Sequence, residues 1–177
     1  MENDFKTLEG VLSLLKQGKC TGKENCMILA YKDTSHDSMK YGALGGAVGA
    51  LGGAALTAMA GATAFLDGAA KAIGNFDGLI INQTEKGLGF LPLTAKGIQW
   101  TLRPDKLSPK MEGATFIEAD QIEFVKIKKY NIFNKKVQKI RIKIGDKTIY
   151  LMARLNERGI EYQEENLKKL MEKYPAK

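Results

Sequence analysis

The stretch IEFVKIKKYNIFNKKVQKIRIKIGDKTIYLMA (122–153) decides the fold class. Within it, Lys139, Arg141 and Lys143 alternate with Ile140, Ile142 and Ile144. A period of two marks a strand with one face on a core and the other in water. Gly145-Asp146 separates the runs 136–144 and 147–153 by two residues, so they read as arms of a tight hairpin, although Asp-Gly would be the favoured order. IEFVKIKKY (122–130) reads as a further strand beside them.

The rest of the C-terminal half follows the same pattern. GLIINQT (78–84), LGFLPLT (88–94), GIQWTLR (97–103) and ATFIEA (114–119) read as short strands, with a loop from Arg103-Pro104-Asp105 to about Gly113. Upstream, MILAYK (27–32) is another strand. At the C-terminus, Leu167, Leu170, Met171 and Tyr174 mark a helix over about 160–174, stopped by Pro175. Near the N-terminus, Phe5, Leu8, Leu12 and Leu15 recur at helical spacing, which predicts a helix over about 4–17, capped by Asn3 or Asp4 and ended by Gly18. Its mixed polar face favours packing on the body over lying on a membrane. The expected class is α+β, mainly β: an antiparallel sandwich or barrel whose C-terminal helix plugs an open end.

One segment breaks the pattern. Tyr41 to Leu66 carries no charged residue, and 42–66 holds seven Gly and nine Ala. Gly42, Gly45, Gly46, Gly49, Gly52 and Gly53 make overlapping rows at helical spacing, including G-x-x-x-G pairs, where another backbone can approach closely. Glycines are poor helix formers in water, each costing up to about 1 kcal/mol against Ala, so a helix here needs tight packing or lipid. Three readings fit: a marginal membrane span, a hairpin of two small-residue helices folded near Gly61 or Gly53, and a glycine-rich segment packed on the body.

Composition narrows the function classes. The chain has 177 residues, 27 basic and 20 acidic side chains, and one His. Residues 1–75 hold seven of each charge, so the whole excess of +7 lies in 76–177. That points the C-terminal half at an anionic partner, whether membrane, nucleic acid or acidic protein, and the equally open alternative is that net charge merely aids solubility. Between Glu123 and Asp146 stand Lys126, Lys128, Lys129, Lys135, Lys136, Lys139, Arg141 and Lys143 with no acidic residue. These eight are the candidate anion- or lipid-binding residues, Lys139, Arg141 and Lys143 forming one ladder with Lys126 and Lys128 beside it. Near an anionic bilayer each could contribute about 1 kcal/mol. The competing reading is the solvated face of an edge hairpin, where lysines block aggregation. Tyr130 and Phe133 interleave with the lysines, but no stacking motif of an RNA-binding sheet is present, which disfavours nucleic acid.

Catalytic chemistry is not advertised. Cys20 and Cys26, spaced C-x5-C, match neither zinc nor redox patterns and read as reduced thiols. His36 beside Asp37 lacks a G-x-S-x-G elbow. Glu118/Asp120 and Glu164/Glu165 read as solvated charges. GKCTGKE (18–24) is one residue short of a phosphate loop and has Glu24 in place of Ser or Thr. Asn82-Gln83-Thr84 fits a glycosylation pattern, which carries little weight because MENDFKTLEG has no apolar signal core. The expectation is a protein without catalytic residues, metal or cofactor.

Three features together resemble a bacterial pleckstrin-homology-like (GRAM-like) domain. They are PLTAKGIQW (92–100), similar to that family's strand–LT-x-K-G-I–strand step, the basic double strand with its hairpin, and the terminal helix. MILAYK is similar to the family's first strand. The resemblance implies an N-terminal helix and loop over 1–26, a pleckstrin-homology-like domain over 27–40 and 75–174, and a glycine-rich apolar insertion over 41–74. It also implies a binding module for lipid or protein rather than a reaction. Two functions follow. One is a cytoplasmic module at the inner face of, or anchored in, the membrane that contacts anionic lipid. The other is a soluble interaction or structural domain whose glycine-rich segment packs on itself or a second copy.

Overall fold

A computed structural model describes residues 4–33, 73, 76–95, 102–130, 133 and 135–175. Gly42, Gly45, Gly46, Gly49, Gly52, Gly53, His36 and most of the expected strand 97–103 lie outside the described residues.

Helix α1 (Leu8–Gln17) precedes strands β1 (Cys26–Lys32), β2 (Gly78–Gln83) and β3 (Gly87–Ala95). Short strands β4 (Leu107–Pro109) and β5 (Thr115–Glu118) follow, then β6 (Ile122–Lys129), β7 (Val137–Ile144), β8 (Lys147–Arg154) and helix α2 (Gln163–Lys173). All eight strands join one antiparallel sheet in the order β4-β3-β2-β1-β8-β7-β6, with β5 also paired to β3. The class is therefore mainly-β α+β, as the alternation and the two amphipathic helices predict. Strand β4, flanked by 3₁₀ turns at Pro104–Lys106 and Met111–Gly113, lies where the sequence predicts only a loop. Its three residues are too few for any period to show. Pro109 fits there because β4 ends the strand order, where a ladder donor can be missing.

The sheet folds over one interior. Ile28, Ala30, Leu79, Ile81, Leu88 and Phe90 from β1–β3 meet Ile127, Ile140, Ile142, Ile149 and Leu151 from β6–β8, with Leu167 and Leu170 of α2 and also Ile73 and Phe76. A second cluster covers the outer face of β1–β3, where Val11, Leu14 and Leu15 of α1 pack with Phe5, Met27, Leu29, Tyr31, Ile80, Leu91 and Leu93. Helix α1 thus packs on the body. It begins later than the spacing of Phe5 and Leu8 suggests, because Thr7, not Asp4, is its cap: the Gly10 N–H donates to Thr7 Oγ1 at 3.1 Å. Asp4 instead accepts from the Lys6 N–H at 3.0 Å, closing the turn before the helix.

The sheet turns its corner between β1 and β8, whose paired residues among those described are Tyr31–Met152 and Lys32–Leu151, with no pairing toward Ala30 and Leu29. Beyond them Gln163 at the start of α2 fills the gap. Its Oε1 accepts from the Leu29 N–H at 2.8 Å, and its Nε2 donates to the carbonyls of Leu29 at 2.8 Å and Arg154 at 3.0 Å. Almost one helical turn further along, Asn166 Nδ2 donates to the Met27 carbonyl at 2.9 Å. These side-chain amides take the place of a neighbouring strand along β1, so its edge groups stay paired. At the other end of the helix, the Ile127 N–H of β6 donates to the Tyr174 carbonyl at 3.0 Å, and the Tyr174 hydroxyl meets Gln83 of β2. Helix α2 therefore crosses from the β1–β8 corner to the β6 edge.

The hairpin between β7 and β8 is as short as expected. Gly145 has φ +54, and Asp146 is not in the left-handed region. A two-residue turn with positive φ only at its first position calls for Gly first, which accounts for the Gly-Asp order.

Candidate functional site

The basic run folds into the β6–β7 pair, and its register fixes which cations meet. Lys126 stands opposite Arg141, Lys128 opposite Lys139, and Phe124 opposite Lys143. Burial on β7 alternates, with Gln138, Ile140, Ile142 and Ile144 buried and the residues between them half-buried. Five of the eight predicted residues, Lys126, Lys128, Lys139, Arg141 and Lys143, therefore share the outer face. Lys129 pairs with Gln138 and so takes the opposite parity at the end of β6. Lys135 and Lys136 are exposed in the turn before β7. Those three cluster at the hairpin end rather than on the ladder.

Like charges directly opposite one another repel. Here aromatic rings offset part of that cost. Lys139 Nζ lies 4.8 Å from the Tyr130 ring centroid, Lys126 Nζ 5.1 Å from Phe124, and the Arg141 guanidinium 5.6 Å from Tyr150. Each such contact at a partly wet site contributes about 0.5–1 kcal/mol. Phe124 of β6 and Tyr130 just beyond its end flank the ladder on one side, and Tyr150 of β8 is the partner of Arg141 on the other. Phe124 and Tyr150 do not stand out in the sequence as site residues. The signal for Tyr150 is the Gly145-Asp146 turn, since counting back through it places Tyr150 beside Arg141.

Only one cation of this face has a carboxylate partner among the described residues. Lys143 Nζ is 2.7 Å from Glu123 Oε2. A register shift between Ile122 and Phe124 makes Glu123 the extra residue of a bulge, and it meets Lys143 there. Both side chains are substantially exposed, so the pair is worth up to about 1 kcal/mol. Beyond the hairpin, Tyr130 is 40% exposed and Phe133 is 96% exposed.

The cationic face lies near Asp33, the last described residue before 34–72. The Asp33 N–H, one residue after β1, donates to the Tyr150 carbonyl at 3.0 Å, and Tyr150 pairs with Arg141. Two strand spacings, about 10 Å, separate Asp33 from Arg141.

Other chemistry falls away among the described residues. Both thiols are free, and burial raises the pKa of each, with Lys169 and Lys173 offsetting part of the rise at Cys26. Such thiols are poor nucleophiles at neutral pH. Glu164 and Glu165 pair with Lys168 and Lys169 at 2.6 and 2.7 Å along the exposed face of α2. Asn82 is fully buried in β2 and donates to the Cys20 carbonyl at 2.9 Å and to Asn25 Oδ1 at 2.8 Å, so its amide ties down the 18–25 loop instead of presenting a modification site. No cluster of His, Cys, Asp and Glu suited to a metal occurs among the described residues. No helix among them is long and apolar enough to cross a membrane.

A buried carboxylate outside the basic face has no announcing signal in the sequence. Glu157 is buried next to Tyr31, with Arg154 Nη1 at 3.4 Å from its Oε1. Burial raises the Glu157 pKa, and the Arg154 charge offsets part of that rise. Burial and the Glu157 charge push the Tyr31 hydroxyl far above its usual range.

Compared with protein-family models, curated proteins and solved structures, the chain shows no match.

Proposed function

We propose that this chain is a non-enzymatic, pleckstrin-homology-like binding module that docks on anionic membrane lipid through the outer face of β6–β7, with the uncharged segment 41–66 meeting the same surface. The observation that carries the reading is the five-cation face, on which Lys126, Lys128, Lys139 and Arg141 have no carboxylate partner among the described residues. A protein that needed this hairpin only for its fold would gain nothing from placing Lys126 against Arg141 and Lys128 against Lys139. A surface of fixed negative charge turns that repulsion into attraction, at about 1 kcal/mol per cation. The nearness of Asp33 to this face, with the apolar segment starting eight residues further along the chain, supports a joint contact with that segment. The pleckstrin-homology-like part of the reading is supported by two antiparallel meanders over one core and a C-terminal helix crossing between them.

Co-sedimentation with vesicles tests it. Full-length protein should pellet with phosphatidylglycerol-containing vesicles and not with phosphatidylcholine alone, and high salt should weaken the binding. A Lys126→Glu/Lys139→Glu double variant should bind at least tenfold more weakly, since two attractive charges of about 1 kcal/mol each become repulsive. Equal partition to both vesicle types, or no partition to either, overturns the proposal in favour of a solvated edge hairpin.

A further inference from the structure

We infer that Phe133 is an interfacial anchor that seats its ring at the boundary between headgroups and acyl chains of an anionic bilayer. The inference rests on the lipid reading above and adds a second, apolar point of contact to it.

Phe133 is the most exposed large apolar side chain among the described residues, at 96%, against 47% for Leu8 and 40% for Tyr130. A single exposed apolar residue is ordinary on a protein surface. The surroundings of this one are not neutral. The ring lies in the connection between β6 and β7, beyond the last cross-strand pair, Lys129–Gln138. Lys128 and Lys129 precede it on opposite faces of β6, and the exposed Lys135 and Lys136 follow it. No carboxylate pairs with any of these four among the described residues. Tyr130, half-wet beneath Lys139, extends the aromatic surface back toward the ladder.

A partner for this tip must offer an apolar interior close behind a layer of negative charge. An anionic bilayer does so everywhere on its surface, and cations flanking an aromatic side chain are the arrangement that suits the interface. An acidic protein patch would satisfy the lysines and leave the ring in water. The tip lies at the opposite end of β7 from the Gly145-Asp146 turn. The hairpin would then lie along the membrane, with the ring seated at its leading end and the cationic ladder behind it.

The experiment uses full-length Phe133→Trp and Phe133→Ala variants with the same two vesicle types. Trp100 is present in every variant, so the emission of the parent protein is subtracted. With phosphatidylglycerol-containing vesicles, the difference spectrum of the indole introduced by Phe133→Trp should shift to the blue and be quenched by shallow brominated lipid. Phe133→Ala should bind roughly tenfold more weakly while its salt dependence stays as in the parent, because the lost contribution is apolar. Circular dichroism should be unchanged, since the side chain buries almost nothing. If the protein pellets with these vesicles but the emission of the introduced indole does not move, the anchor is overturned and the electrostatic docking stands. If it does not pellet at all, both are overturned.

Discussion

Strands β1–β3 and β6–β8 are both three-stranded antiparallel meanders, yet they use their outer faces in opposite ways. In β1–β3 nearly every residue is buried, because the inner face meets the core and the outer face lies under α1. In β7 and β8 burial alternates, and the outer face carries the cationic ladder with its aromatic rings. The fold thus buries both faces of one half and only the inner face of the other. A substitution on an outer face should consequently be costly in the first meander and cheap in the second.

The largest effect should come from Leu29→Ala. Leu29 is fully buried beneath α1, so the loss should fall in the upper part of about 2–5 kcal/mol by urea denaturation. Arg141→Thr, at the outer face of β7, should cost no more than about 1 kcal/mol, the ring contact with Tyr150 being what is lost. A cheap Leu29→Ala would mean that α1 does not seal the first meander. Gln163→Leu should cost about 2–4 kcal/mol, because it leaves the Leu29 N–H and the carbonyls of Leu29 and Arg154 unpaired at the corner where the halves join. A loss under about 1 kcal/mol would show that water or a small shift replaces these bonds. Gly89→Ala should cost about 1–3 kcal/mol. The Cβ would land on the Cys20 carbonyl oxygen and 2.7 Å from the Cys20 Cβ, where the loop after α1 crosses β3.

A smaller effect concerns pH. The folded state raises the Glu157 pKa, so it holds that proton more tightly than the unfolded chain does. Stability from this group is greatest below the ordinary carboxylate range and declines as pH rises through the folded value. Glu157→Gln should remove that declining component from a plot of stability against pH, and an unchanged slope would show that Arg154 fully neutralises the burial penalty. The smallest effect should be a gain. Lys128→Glu converts the like-charged pair with Lys139 into an opposite one, adding about 0.2–1 kcal/mol at low salt while weakening vesicle binding. If stability falls instead, the lysines are not held against their mutual repulsion.

The same contrast explains what is legible in the sequence. Residues 139–144 announce a strand because water on one side forces alternation. Residues 27–32, 78–83 and 87–95 are near-continuously apolar, which identifies strands but hides which residues face which core. Only the position of α1 resolves that. The ladder of Lys139, Arg141 and Lys143 follows from period two alone, whereas Lys129 falls away from it through the parity of β6. Glu123 reaches Lys143 through a bulge, which no periodicity announces. Gln163 reads in the sequence as one polar residue at a helix start. Its role depends on β1 and β8 parting on the Leu29 side of Tyr31–Met152, a long-range event with no local signature. The buried Glu157 depends likewise on Tyr31 arriving from β1, although its pairing with Arg154 three residues earlier is local.

The junction at the end of β1 has an engineering consequence. Lys32 donates its N–H to the Asp77 carbonyl at 3.2 Å, and Tyr31 pairs with Gly78, so the chain comes back to the place it departed from. The ends at Lys32 and Asp77 lie one hydrogen bond apart, within reach of a tight turn, and each doubling of a flexible connection adds only about 0.6 kcal/mol of closure entropy. Lys32 and Asp77 are therefore natural joints for splicing, because a connection of any length starts and ends at the same neighbouring residues.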